Sequence, residues 1–191
     1  MASISIHLAV GKRFIEKNNI IENDKLFYKG VVAPDLSDNK IESHYTTFTD
    51  KSNLELYLNK RIGLYDYIKA SKIDNDYEYG VFLHLITDYI FFTDFFDKEY
   101  IKNTVIQSFN NDLYHSYDNT DEYVNTKYNI DYTDLKNDIE KAISKARKNK
   151  NTNYNNGNDI IPIDKLDIFI EEVSNINLEE YKLKILNEHI I

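Results

Sequence analysis

Apolar side chains return every three or four positions along most of the chain, the spacing that lines one face of an α-helix. Ser3 to Lys17 shows it with Ile6, Val10 and Phe14 near one face. Asn53 to Lys72 repeats it with Leu54, Leu58, Ile62, Tyr65 and Ile68, and predicts a second long helix. The loop between them holds Gly30 and Pro34. A proline biases the residue before it toward extended geometry, which places Asp35 off a helix. From Tyr77 to Phe96 the chain is apolar nearly all round, the pattern of a helix buried mid-domain. Lys98 to Tyr114 and Asp131 to Lys148 predict two amphipathic helices with a shorter one between them. Asn149 to Asp159 reads as a polar, low-complexity loop. Two helices close the chain: Asp164 to Val173 after Pro162, and one capped by Asn177 that runs to Glu188.

Composition agrees with this all-α reading. The 191 residues suit one helical metal-binding domain spanning 1–191, and two prolines with five glycines favour helices over a turn-rich β fold. There is no cysteine, so disulfides, thiolate metal sites and cysteine nucleophiles are excluded; a metal must be held by nitrogen and oxygen. A formal net charge of −9 opposes non-specific nucleic-acid binding. It leaves room for a small anionic substrate, because a metal supplies positive charge locally. No stretch reaches the length of a membrane span, and the N-terminal residues lack the pattern of a secretory signal. The expected location is cytoplasmic. Oligomeric state is not encoded in any feature of the sequence.

Candidate chemistry centres on His84 and Asp88, four apart in HLITD and therefore on one face of the apolar helix. Phe82, Leu83, Leu85, Ile86, Ile90, Phe91 and Phe92 surround them. A carboxylate and an imidazole in such company are costly unless paired or metal-bound. Gly80, one turn earlier, leaves room for another segment to approach. The chain has only five histidines, so each can be placed. Taken singly, His7 reads as a core histidine, His44 as a surface residue and Asp35 as a turn residue or cap.

Their order is more specific. A helical His7 is followed by Gly30, then Pro34–Asp35, then Ser43–His44, then Tyr79–Gly80 leading into the H-x-x-x-D of His84 and Asp88. This order resembles the zinc-dependent phospholipase C family, related in fold to the zinc-dependent single-strand nucleases, over roughly the first half of the chain. The resemblance implies a helical bundle in which Asp35, His44, His84 and Asp88 bind one metal. Asp88 would bridge toward a second ion near His7. It also implies a metal-activated water that attacks a phosphodiester or phosphomonoester. The chain departs from the family in having no N-terminal tryptophan ligand and no H-x-x-x-E helix after the H-x-x-x-D. One metal is therefore expected, with a second as the upper bound. Zinc follows from the resemblance; nitrogen and oxygen ligands equally suit manganese, iron or nickel.

His115, near Asp118, Asp121 and Glu122, has two readings. It is a ligand or proton donor returning to the site with Asp118 as partner, or Asp118 to Glu122 simply open the next helix. Tyr45, Tyr79 and Tyr89 flank the ligands, with core packing as their stronger explanation. The basic cluster Lys141 to Lys150 reads as a solvated helix end, and His189 as a solvated terminal residue. No histidine is followed by aspartate, and P-loop, GxGxxG and GxSxG motifs are absent. The expected function is metal-dependent hydrolysis of a small phosphate ester, with His115 or Asp118 assisting proton transfer. The alternative is a non-catalytic, metal-stabilised binding or scaffold domain.

Overall fold

The computed structural model describes residues 2–131, 133–148 and 157–188, and all regular structure among them is helical. Helices α1 (Ile4–Lys17) and α2 (Asp24–Leu36) lead into a short α3 (Lys40–Ser43). Then come α4 (Leu54–Lys60), α5 (Leu64–Ala70) and α6 (Asp76–Ile90), which continues as a π-type turn over Phe91–Phe95. The rest comprises α7 (Lys98–Lys102), α8 (Ile106–Lys127), α9 (Lys136–Lys148), α10 (Ile163–Ser174) and α11 (Leu178–Glu188). No described helix is long and apolar enough to cross a membrane. His189, residues 149–156 of the Asn-rich loop and the end of the basic cluster lie outside the described residues.

Asparagine does much of the capping. The side-chain oxygens of Asn23, Asn53 and Asn75 accept from the amides of Leu26, Leu56 and Glu78, satisfying donors left orphaned at the start of α2, α4 and α6. Asn177 does the same for α11, accepting from the Glu180 amide at 3.2 Å as its position predicts. Helix α6 is buried among its neighbours, as its all-round apolarity predicts, and packs most extensively against α2.

That pairing depends on two glycines. A Cβ on Gly80 would fall on the Phe27 carbonyl oxygen and sit 3.0 Å from Gly30 Cα; one on Gly30 would fall on the Tyr77 carbonyl oxygen. The segment for which Gly80 leaves room is α2. The contact is backbone on backbone, so no side-chain motion can relieve an added methyl. Gly80→Ala is expected to destabilise the protein by about 2–4 kcal/mol, as overpacking at a rigid contact does. The urea midpoint measures it, and a midpoint equal to that of the wild type would refute the requirement.

Three boundaries differ from the periodicity reading. Pro34 lies within α2, and Asp35 is helical rather than looped. The proline is in the last turn, so little helix follows it to be disrupted; the Pro34 carbonyl is satisfied by Ser43 Oγ at 2.9 Å and Lys40 Nζ at 3.3 Å. The stretch 53–72 is two helices, α4 and α5, broken at Arg61–Gly63. The Gly63 amide donates to the His44 carbonyl at 3.0 Å, and Thr46 Oγ1 donates to the Arg61 carbonyl. A Cβ on Gly63 would strike the Tyr45 carbonyl oxygen. The break is thus the dock for the loop that carries His44. Finally, α8 is one 22-residue helix, so His115 and Asp118 are mid-helix rather than at a helix start.

Candidate metal centre

Three helices and one helix end supply the site. His7 comes from α1, Asp35 from the last turn of α2, His84 and Asp88 from α6, and His44 caps α3. All are buried, none more than 7% exposed. Two groupings have metal-binding spacing, His7–Asp35–His84 and His44–His84–Asp88, with His84 common to both. All of the metal ligands named from the sequence are therefore brought together.

The close approach of α2 to α6 determines how His84 is used. Its Nδ1 is 2.7 Å from the Val31 carbonyl oxygen. A carbonyl only accepts, so Nδ1 carries the proton and Nε2 presents a lone pair inward. Burial and, next, the neighbouring His7 together lower the His84 pKa to about 3, so the ring is neutral at physiological pH. His44 is held in the same way. Its Nδ1 lies 3.0 Å from the Lys40 carbonyl oxygen and 3.0 Å from Ser43 Oγ, whose own proton is given to the Pro34 carbonyl. In the neutral ring His44 Nε2 would carry a lone pair as well, and it points at His84 Nε2 from 3.2 Å.

Two lone pairs at that distance repel unless a cation lies between them. Further acceptors converge on the same point. Asp88 Oδ2 is 3.4 Å from His44 Nε2 and 3.7 Å from His84 Nε2. Asp35 Oδ1 is 3.8 Å from His44 Nε2, and His7 Nε2 lies 3.4 Å from Asp88 Oδ1 and 3.9 Å from Asp35 Oδ2. The His7 and His84 rings stack at 3.7 Å, which fixes both. Asp35 Oδ1, Asp88 Oδ2 and both His7 nitrogens are buried with no hydrogen-bond partner among the described residues. Each such atom costs about 1–3 kcal/mol, and more when charged. A proton on His44 Nε2 would separate the facing lone pairs, but it would leave Asp35 Oδ1 and His7 unmatched. A divalent ion held by the His44–His84–Asp88 grouping would match the facing nitrogens and Asp88 Oδ2, while Asp35 and His7 have the spacing of the second grouping.

Both carboxyls are held below the usual carboxylate range. For Asp35, burial opposes ionisation but is outweighed by His84 and His7, in the acid range where those rings carry a proton, and by Lys40, whose Nζ lies 3.6 Å from Oδ1. For Asp88, burial opposes ionisation but is outweighed by the neighbouring His44 and His7 rings when these carry a proton. The Ala2 amide also donates to Asp88 Oδ1 at 2.6 Å.

Periodicity did not signal the contributions of Ala2, Lys40 and Tyr117. Tyr117 is buried on α8, and burial, Tyr114 and the charges of Asp88, Asp121 and Asp35 push its phenol well above the usual value. It remains a protonated donor at neutral pH. A correct α8 boundary would have drawn attention to it, since Tyr117 and Asp121 share a helix face and Ser3, the N-cap of α1, donates to Asp121 at 2.6 Å. His115 and Asp118 are not brought into either metal-binding grouping among the described residues. His115 packs under the loop at Gly157, with Nε2 3.8 Å from Asp159. Tyr45 meets Tyr67 edge to face, and Tyr89 lines a separate cavity between α4, α6 and α11. Comparison with protein-family models, with curated proteins and with solved structures finds no match to this chain.

Proposed function

We propose that the protein is a metal-dependent hydrolase of phosphate esters, with His7, Asp35, His44, His84 and Asp88 holding the ion. The observation that carries the proposal is the meeting of two ring nitrogens, His44 Nε2 and His84 Nε2, at 3.2 Å beside two buried carboxylates. The order of these residues, similar to that in the zinc-dependent phospholipase C family, supports the choice of reaction. A divalent ion in such a site supplies Lewis acidity, lowers the pKa of water and stabilises charge on phosphate oxygens.

The protein's own contribution is orientation. Carbonyls of Val31 and Lys40 hold the tautomers of His84 and His44, and the Ala2 amide holds Asp88. These contacts keep the ligands in place through backbone that is itself pinned by Gly30, Gly63 and Gly80. All-nitrogen-and-oxygen ligation suits zinc, and suits manganese, iron or nickel as well. The enclosure of all five ligands favours a second reading, a closed structural site in a binding or scaffold domain. The line between the two is whether the ion retains an open coordination position.

Elemental analysis of protein purified without chelator should find about one divalent ion per chain, and a panel of phosphomonoesters and phosphodiesters should include a substrate whose turnover stops on chelation. Metal-free protein that ignores added zinc would overturn the site. Metal-loaded protein inactive on the whole panel would overturn the hydrolase and leave the scaffold.

A further inference from the structure

A cavity of about 200 Å³ lies against the metal centre, with His44 in its lining. It is smaller than the ~300–1,000 Å³ of pockets that hold drug-sized ligands. Its charged lining residues are Lys40, Lys51 and Arg61, and no carboxylate is among them. That is unexpected in a chain with a formal net charge of −9. The cavity between α4, α6 and α11 shows the usual balance, with Glu55, Asp94 and Glu188 beside Lys98 and Lys184, and includes none of the metal ligands.

Arg61 and Lys51 are held in place without being neutralised. Arg61 is half-buried, its guanidinium 4.3 Å from the Phe92 ring centre and 5.1 Å from that of Tyr57. Lys51 Nζ lies 5.8 Å from the same Tyr57 ring. Two like charges thus share one aromatic ring, and among the described residues no carboxylate is within ion-pairing distance of either. Ring contacts orient a guanidinium but leave its in-plane N–H donors unused. Lys40 joins the cavity to the metal centre, bonded to the Pro34 and Asp35 carbonyls and 3.6 Å from Asp35 Oδ1. Arg61 occupies the break between α4 and α5, whose backbone also docks the His44 loop. One local structure therefore places a metal ligand and a free guanidinium side by side.

We propose that this cavity is a phosphate-binding subsite, in which Arg61 and Lys51 hold the phosphate group of a small phosphomonoester, or the phosphate released from it, next to the metal. Resting on the hydrolase reading, it narrows the substrate class to compounds carrying a compact dianionic head. Arg61 is the principal donor because its planar fork matches two phosphate oxygens at once; Lys51 adds a point charge.

The test is calorimetric titration of inorganic phosphate and of phenyl phosphate into zinc-loaded protein with free zinc removed, at fixed ionic strength. Wild type should bind both. Arg61→Ala should weaken phosphate about tenfold or more, Arg61→Lys by less, and Lys51→Gln a few-fold, with zinc content unchanged. Lys51 is exposed and Arg61→Lys keeps the stacked alkyl stem, so these variants carry the test if Arg61→Ala melts early. Wild type that binds neither probe, or variants that bind like wild type, would overturn the subsite. Tight inorganic phosphate with no binding of phenyl phosphate would restrict the occupant to the released product. Arg61-dependent phosphate binding by a protein that never binds zinc would uphold the subsite while sinking the hydrolase.

Discussion

Replacing His84 with alanine is expected to strip the protein of its metal, because His84 is the one side chain common to both ligand groupings. The effect should appear in stability as well as in metal content. A ligand present at a thousand times its dissociation constant stabilises the folded state by about 4 kcal/mol. For a domain of this size, that corresponds to a melting shift of about 8–16 °C. Wild type should show the shift on adding zinc, and His84→Ala should not. The alanine also opens a cavity, so Asp88→Asn is the cleaner companion: it keeps the side-chain shape while removing a charged ligand. With chelator present, Asp88→Asn should lose only the stability that the Asp88 charge gives the metal-free fold; with zinc, it should fall much further below wild type. A variant with stoichiometric zinc, or a wild type indifferent to zinc, would contradict the arrangement.

The metal-free protein should lose stability steeply as pH falls below about 6.5. His84 has its pKa lowered from 6.5 to about 3 by burial, with His7, His44, Asp35, Asp88 and the Val31 carbonyl as its surroundings. The unfolded chain therefore binds a proton on this residue at a pH where the folded protein does not. Stability is fully present above the unfolded value and is lost as pH falls toward the folded one. At most about 1.4 kcal/mol goes per pH unit, and the full window is worth on the order of 5 kcal/mol. Asp35 and Asp88, lowered from 3.8, act in the same direction at more acid pH: their contribution is present above 3.8 and lost as they protonate in the folded state. Marginal domains have only about 5–15 kcal/mol in total, so acid unfolding should begin well before the carboxylates titrate. Urea midpoints of chelated protein from pH 8 to pH 4 measure this, and a flat profile between pH 7 and pH 5 would rule it out. Bound zinc should shift the profile, since protons and metal compete for the same lone pairs.

Much of this site is legible from the amino-acid sequence. Helical spacing alone puts His84 and Asp88 on one face of an apolar helix, and a buried charge pair has to be matched by something. His7, Asp35 and His44 are unremarkable singly; their order made them candidates. Boundaries were less legible. Periodicity joined residues 53–72 into one helix because both halves are amphipathic, whereas the break at Gly63 is made by the docking of the His44 loop, a contact between distant segments. Pro34 in α2 shows the same limit, since a local bias against helix is overridden by side chains of Ser43 and Lys40 that satisfy the last turn.

The sequence by itself determined an all-helical chain, the buried character of α6 and the nitrogen-and-oxygen chemistry of any metal site. Those properties depend on residue type and on spacing within a helix. Tertiary structure alone decided the state of the ligands. It placed the Val31 carbonyl against His84 and the Lys40 carbonyl against His44, aiming both Nε2 lone pairs at one point. It also left His115 under a loop and Arg61 beside the centre with no carboxylate partner among the described residues. Tautomer, lone-pair direction and cavity charge are relations between segments far apart in the chain, and they exist only once α2 lies against α6.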